Sequence, residues 1–149
     1  MVLKAAFFKG HDSGLMGVFE LADRAWEEGQ YSHCELIFSD GRSASSVLSK
    51  GVRFTAPGTI NFNDPTQWDV LDLPGVDEAS AFAWFNQHAG QPYDILGDLH
   101  FVVGFIHHDD GHKFCSFACG AACGFEQSWR FDPNALYVAL KRLCLRAAA

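Results

Sequence analysis

Apolar residues run from Val2 to Phe8 and stop at Lys9-Gly10, the length of one short strand. Gly10-His11-Asp12-Ser13-Gly14 then reads as a loop. From Leu15 to Trp26 the pattern changes to three- and four-residue steps (Leu15, Val18, Phe19, Ala22, Trp26), which predicts a helix stopped by Gly29. Period two returns at Ser32 to Phe38. Asp40-Gly41 signals a hairpin, with Arg42 to Leu48 as its returning strand and Val52 to Phe54 as a third. Trp68 to Leu73 mixes Trp68, Val70, Leu71 and Leu73 with Asp69 and Asp72, the pattern of a strand with one solvated face. Pro74-Gly75 ends it. Asp77 is a candidate N-cap for a helix carrying Ala79, Phe82, Ala83 and Phe85, which Gly90 can close. A further helix is expected to start near Cys115, carrying Ala118, Cys119 and Ala122 before Gly124. Asp132-Pro133, a cap followed by a first-turn proline, opens the last one.

This succession of clustered strands and flanking helices predicts an α+β domain with an antiparallel sheet packed against helices. With 149 residues and no internal repeat, linker or low-complexity tract, residues 1–149 are expected to form a single domain. Eleven basic against eighteen acidic residues leave a formal charge of −7, and the basic ones are scattered, which argues against a nucleic-acid partner. The longest apolar stretches, such as Phe101 to Ile106, are too short to cross a bilayer. The apolar run from Ala5 to Phe8 is also shorter than the roughly 7 to 15 residues of a signal-peptide core. The expectation is a protein cytoplasmic as synthesised; association with a virion, or release by a signal-free route, would leave no mark in the sequence. Five cysteines (Cys34, Cys115, Cys119, Cys123 and Cys144) form an odd set without the regular spacing of a disulfide framework, and read as reduced thiols.

Two positions stand out chemically. His33 and Glu35 sit two apart at the start of an otherwise apolar strand, so strand geometry puts both on one face. An imidazole that takes a proton from a nucleophile needs a partner to hold its tautomer, and a carboxylate at that spacing supplies one. Cys115 falls at the start of a helix, after a polar stretch. A free thiol titrates near ~8.5, and a helix N-terminus together with an imidazolium brings it lower. Cys119 and Cys123 read as small core residues further along the same helix. A rival cluster, His107-His108-Asp109-Asp110-Gly111-His112 with Cys115 beyond, offers metal-ligand types. Its spacing matches no standard zinc pattern, and Asp-Asp-Gly reads as a turn. Neither a metal nor any other cofactor is expected.

Three blocks together carry a resemblance. Ser32-His33-Cys34-Glu35 is followed by the Asp40-Gly41 hairpin; Gly90-Gln91-Pro92-Tyr93-Asp94-Ile95-Leu96-Gly97 comes next; Cys115-Ser116 opens a helix. In this order, with histidine ahead of cysteine, the chain resembles the circularly permuted, NlpC-like branch of the papain-type cysteine hydrolases over about Ala5 to Leu140. The resemblance implies a papain-like fold, its sheet or half-barrel packed against helices, and no cofactor. It implies thiol acyl transfer on an amide or ester, with Cys115 as nucleophile, His33 as base and Glu35 as its orienter, Asp94 and Asp40 being the fallback orienters. The Cys115 backbone N–H and the Tyr93 hydroxyl would form the oxyanion site. Ser32, Ser116 and Asp94 would contact substrate. Phe117 stands where the permuted group often carries glutamate. Bacteria and their phages are the expected sources, and a peptidoglycan stem peptide is the leading substrate. A lipid amide or acyl ester is the runner-up, and a non-enzymatic scaffold in a phage particle is the alternative from another class. Trp68, Trp84, Phe85 and Phe101 are the aromatic candidates for a pocket wall.

Overall fold

The computed structural model describes residues 2–9, 30–92 and 114–147. The expected helix from Leu15 to Trp26, the Gly10–Gly14 loop, Tyr93, Asp94, Phe101 and the His107–His112 cluster lie outside the described residues.

Five strands form one open antiparallel sheet: β1 (Lys4–Phe8), β2 (His33–Ile37), β3 (Ser43–Val47), β4 (Gly51–Thr55) and β5 (Trp68–Asp72), in the spatial order β4-β3-β2-β1-β5. The architecture is therefore mixed α and β, with a sheet that stays open among the described residues. The β2–β3 hairpin turns where Asp40-Gly41 predicts. Gly41 takes a φ of +85°, and Asp40 Oδ1 accepts from the Arg42 backbone N–H at 3.0 Å. At the start of β4, Gly51 has a φ of +64°, and a Cβ there would lie 1.9 Å from the Gln91 carbonyl oxygen, so glycine is required on both counts. This close approach anchors residue 91 to the sheet, where Val52 N–H donates to the Gln91 carbonyl at 2.8 Å.

Three helices are described: α1 (Glu78–His88), α2 (Cys115–Ala122) and α3 (Pro133–Ala147), with a short 3-10 turn at Ser128–Arg130 that the sequence pattern does not predict. Asp77 caps α1 by accepting from the Ser80 N–H at 3.0 Å, and Asp132 accepts from the Ala135 N–H at 2.7 Å at the head of α3. The buried face of α1 differs from expectation. Ala81 and Phe85 are buried, whereas Ala79 and Ala83 are exposed. The two phenylalanines dictate the helix rotation: Phe82 and Phe85 pack against Phe54 with ring centroids 5.0 and 5.9 Å away, and alanine has too little apolar surface to compete.

Alternation along the strands divides the sheet into two faces. Ala5, Phe7, Cys34, Leu36, Ala44 and Val52 point into the core, where they meet Ala81 and Phe85 of α1, Cys115, Ala118, Cys119 and Ala122 of α2, and Leu136 and Leu140 of α3. The other face carries Ala6, Glu35, Ser45 and Arg53 in one row, by the pairings Ala6↔Glu35 and Ser45↔Arg53 and the β2–β3 register. β5 is an edge strand, which explains why its alternation is imperfect: Trp68 is buried, Val70 is exposed, and Asp69 is held by Lys9 Nζ at 2.8 Å and by the Tyr31 hydroxyl at 2.6 Å. Burial and the bond to Asp69 push the Tyr31 phenol well above its ordinary range.

Candidate active site

Cys115 is the first residue of α2, and His33 is the first residue of β2. α2 packs across β2 and β3, so the two residues meet where helix and strand begin. The His33 ring and the Cys115 thiol lie close enough that each shifts the other's ionisation. His33 Nε2 lies 3.1 Å from Glu35 Oε1, across the period-two step that the sequence suggests. With Nε2 directed at the carboxylate, Nδ1 is the ring nitrogen left for the thiol.

Glu35 is fully buried, yet not isolated. Arg53 on β4 reaches it across β3 in a two-pronged pair, Nη2 to Oε1 at 2.6 Å and Nη1 to Oε2 at 3.2 Å. Arg53 Nη1 also contacts the Thr55 hydroxyl. Burial alone would raise the Glu35 pKa, but the bond and charge of His33, then those of Arg53, bring it below its usual value. His33 shows the same contest: burial pushes the imidazole down, while hydrogen bonds to Cys115 and Glu35 and their charges carry it up to about 10.

A third thiol enters here. Cys34 follows His33 in β2, is 1% exposed, and points to the core face, where it shares the core cluster with Cys115 and the two thiols shift each other's ionisation. The Cys34 thiol and then the His33 imidazolium hold the Cys115 thiol well below its ordinary value, against burial, which works the other way. The backbone acts in the same sense. Phe114, at the N-cap of α2, supplies no side-chain hydrogen bond, so the positive end of the helix dipole bears on Cys115.

The other anticipated residues are distributed as follows. Ser116 is fully buried, and its hydroxyl donates to the Phe131 carbonyl at 2.6 Å, tying the start of α2 to the chain ahead of α3. Ser32 is exposed next to His33, its backbone N–H donating to the Phe8 carbonyl at 3.0 Å. Asp40, a fallback orienter, lies beyond the far end of β2 and is engaged with Arg42, its Oδ2 2.7 Å from the arginine Nε. Phe117 packs edge-on against Phe114 at 5.7 Å. All five cysteines are free thiols, and no cluster fit to hold a metal occurs among the described residues.

On the His33 and Glu35 side of the sheet lies a cavity of about 660 Å³, walled by Lys4, Ile37, Ser43, Phe62, Trp68 and Val70 among others. Trp68 thus joins a pocket wall, packed against Phe62 and Phe8, each at 5.0 Å. Phe85 belongs to the core, and Trp84 stacks on His88 at 4.0 Å.

Sequence reasoning missed Arg53 and Cys34 as members of this cluster. A signal for Arg53 is present: it is a lone charge between Val52 and Phe54, which asks for a buried partner. Comparison with models of known protein families, with curated proteins and with solved structures finds no match.

Proposed function

We propose that the protein is a cysteine hydrolase that cleaves an amide or ester bond by thiol acyl transfer. The observation that carries this reading is a single histidine touching a thiol on one side and a buried carboxylate on the other, with the thiol driven toward thiolate and the imidazole toward imidazolium. An ion pair of this kind is the resting state a thiol nucleophile needs. The Cys115 thiolate attacks the carbonyl carbon. The His33 imidazolium gives its proton to the leaving group, and the neutral imidazole then activates water to release the acyl-enzyme. Glu35, fixed by Arg53, holds the ring and offsets its charge. The Cys115 N–H at the head of α2 is one oxyanion donor and the Tyr93 hydroxyl is the second, a contribution of about 3 kcal/mol each.

The substrate proposed first is a peptidoglycan stem peptide, with lipid amides and acyl esters next.

The test is the pH dependence of iodoacetamide labelling, read by peptide mass spectrometry. Cys115 should label at pH 6 well ahead of the other four cysteines, and His33→Ala should shift its profile upward by at least one pKa unit, about tenfold in thiolate. Uniform slow labelling in both proteins would end the hydrolase reading and leave a non-enzymatic scaffold. A selective thiolate leads to a substrate screen, starting with cell-wall peptides.

A further inference from the structure

The catalytic reading uses Cys115 and leaves its neighbour Cys34 without a task. Cys34 sits in the core face of β2, one residue after His33, and α2 lies directly over it. Cys119, one turn beyond Cys115, donates its thiol to the Cys34 carbonyl at 3.7 Å, which pins the Cys34 residue beneath α2, and Cys34 and Cys115 share one buried core cluster in which each shifts the other's ionisation. Ser45 fixes the same carbonyl with a 2.6 Å bond, so β2 is held at this point from two sides. Both thiols are almost wholly buried, whereas the His33 side chain beside them keeps 25% of its exposure, an opening suited to a small reagent and not to a protein reductase.

We propose that Cys34 and Cys115 are a peroxide-sensitive pair, and that Cys34 resolves oxidised Cys115 into a reversible Cys34–Cys115 disulfide that switches the nucleophile off. In the first step the Cys115 thiolate attacks one oxygen of hydrogen peroxide. The O–O bond breaks, and the departing hydroxide takes the His33 proton and leaves as water, giving a sulfenic acid. In the second step the Cys34 sulfur attacks the Cys115 sulfur. The S–O bond breaks, the Cys34 proton goes to the departing hydroxide, and a second water leaves. Two thiols are oxidised by two electrons and one peroxide is reduced to two waters. Burial keeps the Cys34 thiol protonated in the resting state, where it serves as a donor to the thiolate, and the sulfenic acid is the species that recruits it. A nucleophile with an adjacent resolving thiol is protected from the irreversible sulfinic and sulfonic acids. Cys123 and Cys144 are partly exposed.

The proposal rests on the ionised Cys115 of the preceding section, so iodoacetamide labelling at pH 6 is run on the same samples before oxidation. The full chain is treated with one to a few equivalents of hydrogen peroxide, in the presence and absence of dimedone, and its peptides are mapped by mass spectrometry. The expected result is a Cys34–Cys115 linked peptide two hydrogens lighter than its parts, loss of Cys115 labelling, and full recovery with dithiothreitol. Cys34→Ser should instead accumulate the dimedone adduct at Cys115 and, without dimedone, its sulfinic acid; Cys119→Ser should still form the link. A wild-type protein that labels rapidly at pH 6 but gives a dimedone adduct or sulfinic acid at Cys115 with Cys34 still alkylatable overturns the switch and leaves the hydrolase standing. A Cys34–Cys119 link also overturns it. Absence of both fast labelling and the link overturns the two readings together.

Discussion

Strand β2 has an acid–base pair at each end, both separated by two residues in sequence. His33 and Glu35 mark its start; Asp40 and Arg42 follow its finish. At the hairpin end both side chains are close to half exposed, the pair is 2.5 Å at its nearest, and Asp40 also caps its own turn. At the other end Glu35 keeps 1% exposure, and it is shared by His33 and Arg53. Water screens the first pair and leaves it a local clasp, worth little in stability. The second pair meets at a buried carboxylate, so each member's charge state depends on the others; hydrogen bonding to Cys115 and then to Glu35, with their charges, carries a histidine with an ordinary value of 6.5 up to about 10 against the pull of burial. Depth in the sheet, rather than sequence spacing, separates a turn cap from a buried, coupled pair.

The sharpest way to break this contrast is at the proposed nucleophile and its histidine. Cys115→Ala and His33→Ala should each lower turnover of any hydrolysed substrate by at least about 10⁴-fold, measured as initial rates at saturating substrate, whereas Asp40→Ala should leave the rate unchanged. Next in size is the cost of orphaning a buried charge. Glu35→Ala should lose about 3–5 kcal/mol in urea unfolding, because it leaves both His33 and Arg53 without their carboxylate, and Arg53→Ala should lose less, because His33 still faces Glu35. The joint change Glu35→Gln with Arg53→Met should lose clearly less than the two single losses summed, since it removes both charges.

The pH dependence of stability sharpens the comparison further. Glu35, lowered in the fold, contributes stability that is present above its unfolded value near 4.5 and lost as pH falls through the lowered one. His33, raised to about 10, contributes stability that is full below 6.5 and lost as pH rises through 10. Cys115, lowered well below 9.0, has the opposite slope up to that value, so the two oppose each other as pH approaches 9. Urea midpoints should therefore change little as pH approaches 9 and fall above it. His33→Ala should reduce the fall without abolishing it, because burial holds the Cys34 and Cys123 thiols above their ordinary value and they too lose stability as pH rises past 9.0. The smallest effect is at the hairpin, where Asp40→Ala should move the urea midpoint less than any change above and leave the high-pH loss intact.

The strand order is a product of tertiary structure, whereas the strands themselves were legible: each of the five falls inside or within a residue of an apolar or alternating run, and Asp40-Gly41, Asp77 and Asp132-Pro133 act as turn and cap where their local chemistry requires. Local signals of this kind survive folding because they depend on neighbours in the chain. The placement of His33 and Glu35 on one face was equally legible, since it follows from the two-residue period of a strand. What the pattern misjudged is instructive. Ala79 and Ala83 fit a helical stripe, but the stripe that wins is the one carrying more apolar area, Phe82 and Phe85. Val70 fits an inward position and stays exposed because β5 lies at the sheet edge.

The sequence by itself determined which segments become strands and helices, where the chain turns, and which residues hold chemical potential: a thiol at a helix start and a histidine–carboxylate step at a strand start. Only the tertiary structure decided that these two starts meet, that Arg53 crosses from β4 to lock Glu35, and that Cys34 faces Cys115. The physical reason is that short-range periodicity reports the direction of a side chain relative to its own backbone. Partners 18 or 81 residues apart, as Glu35 and Arg53 or Cys34 and Cys115 are, are brought together by strand order and helix packing, and burial then turns ordinary titratable groups into a coupled site.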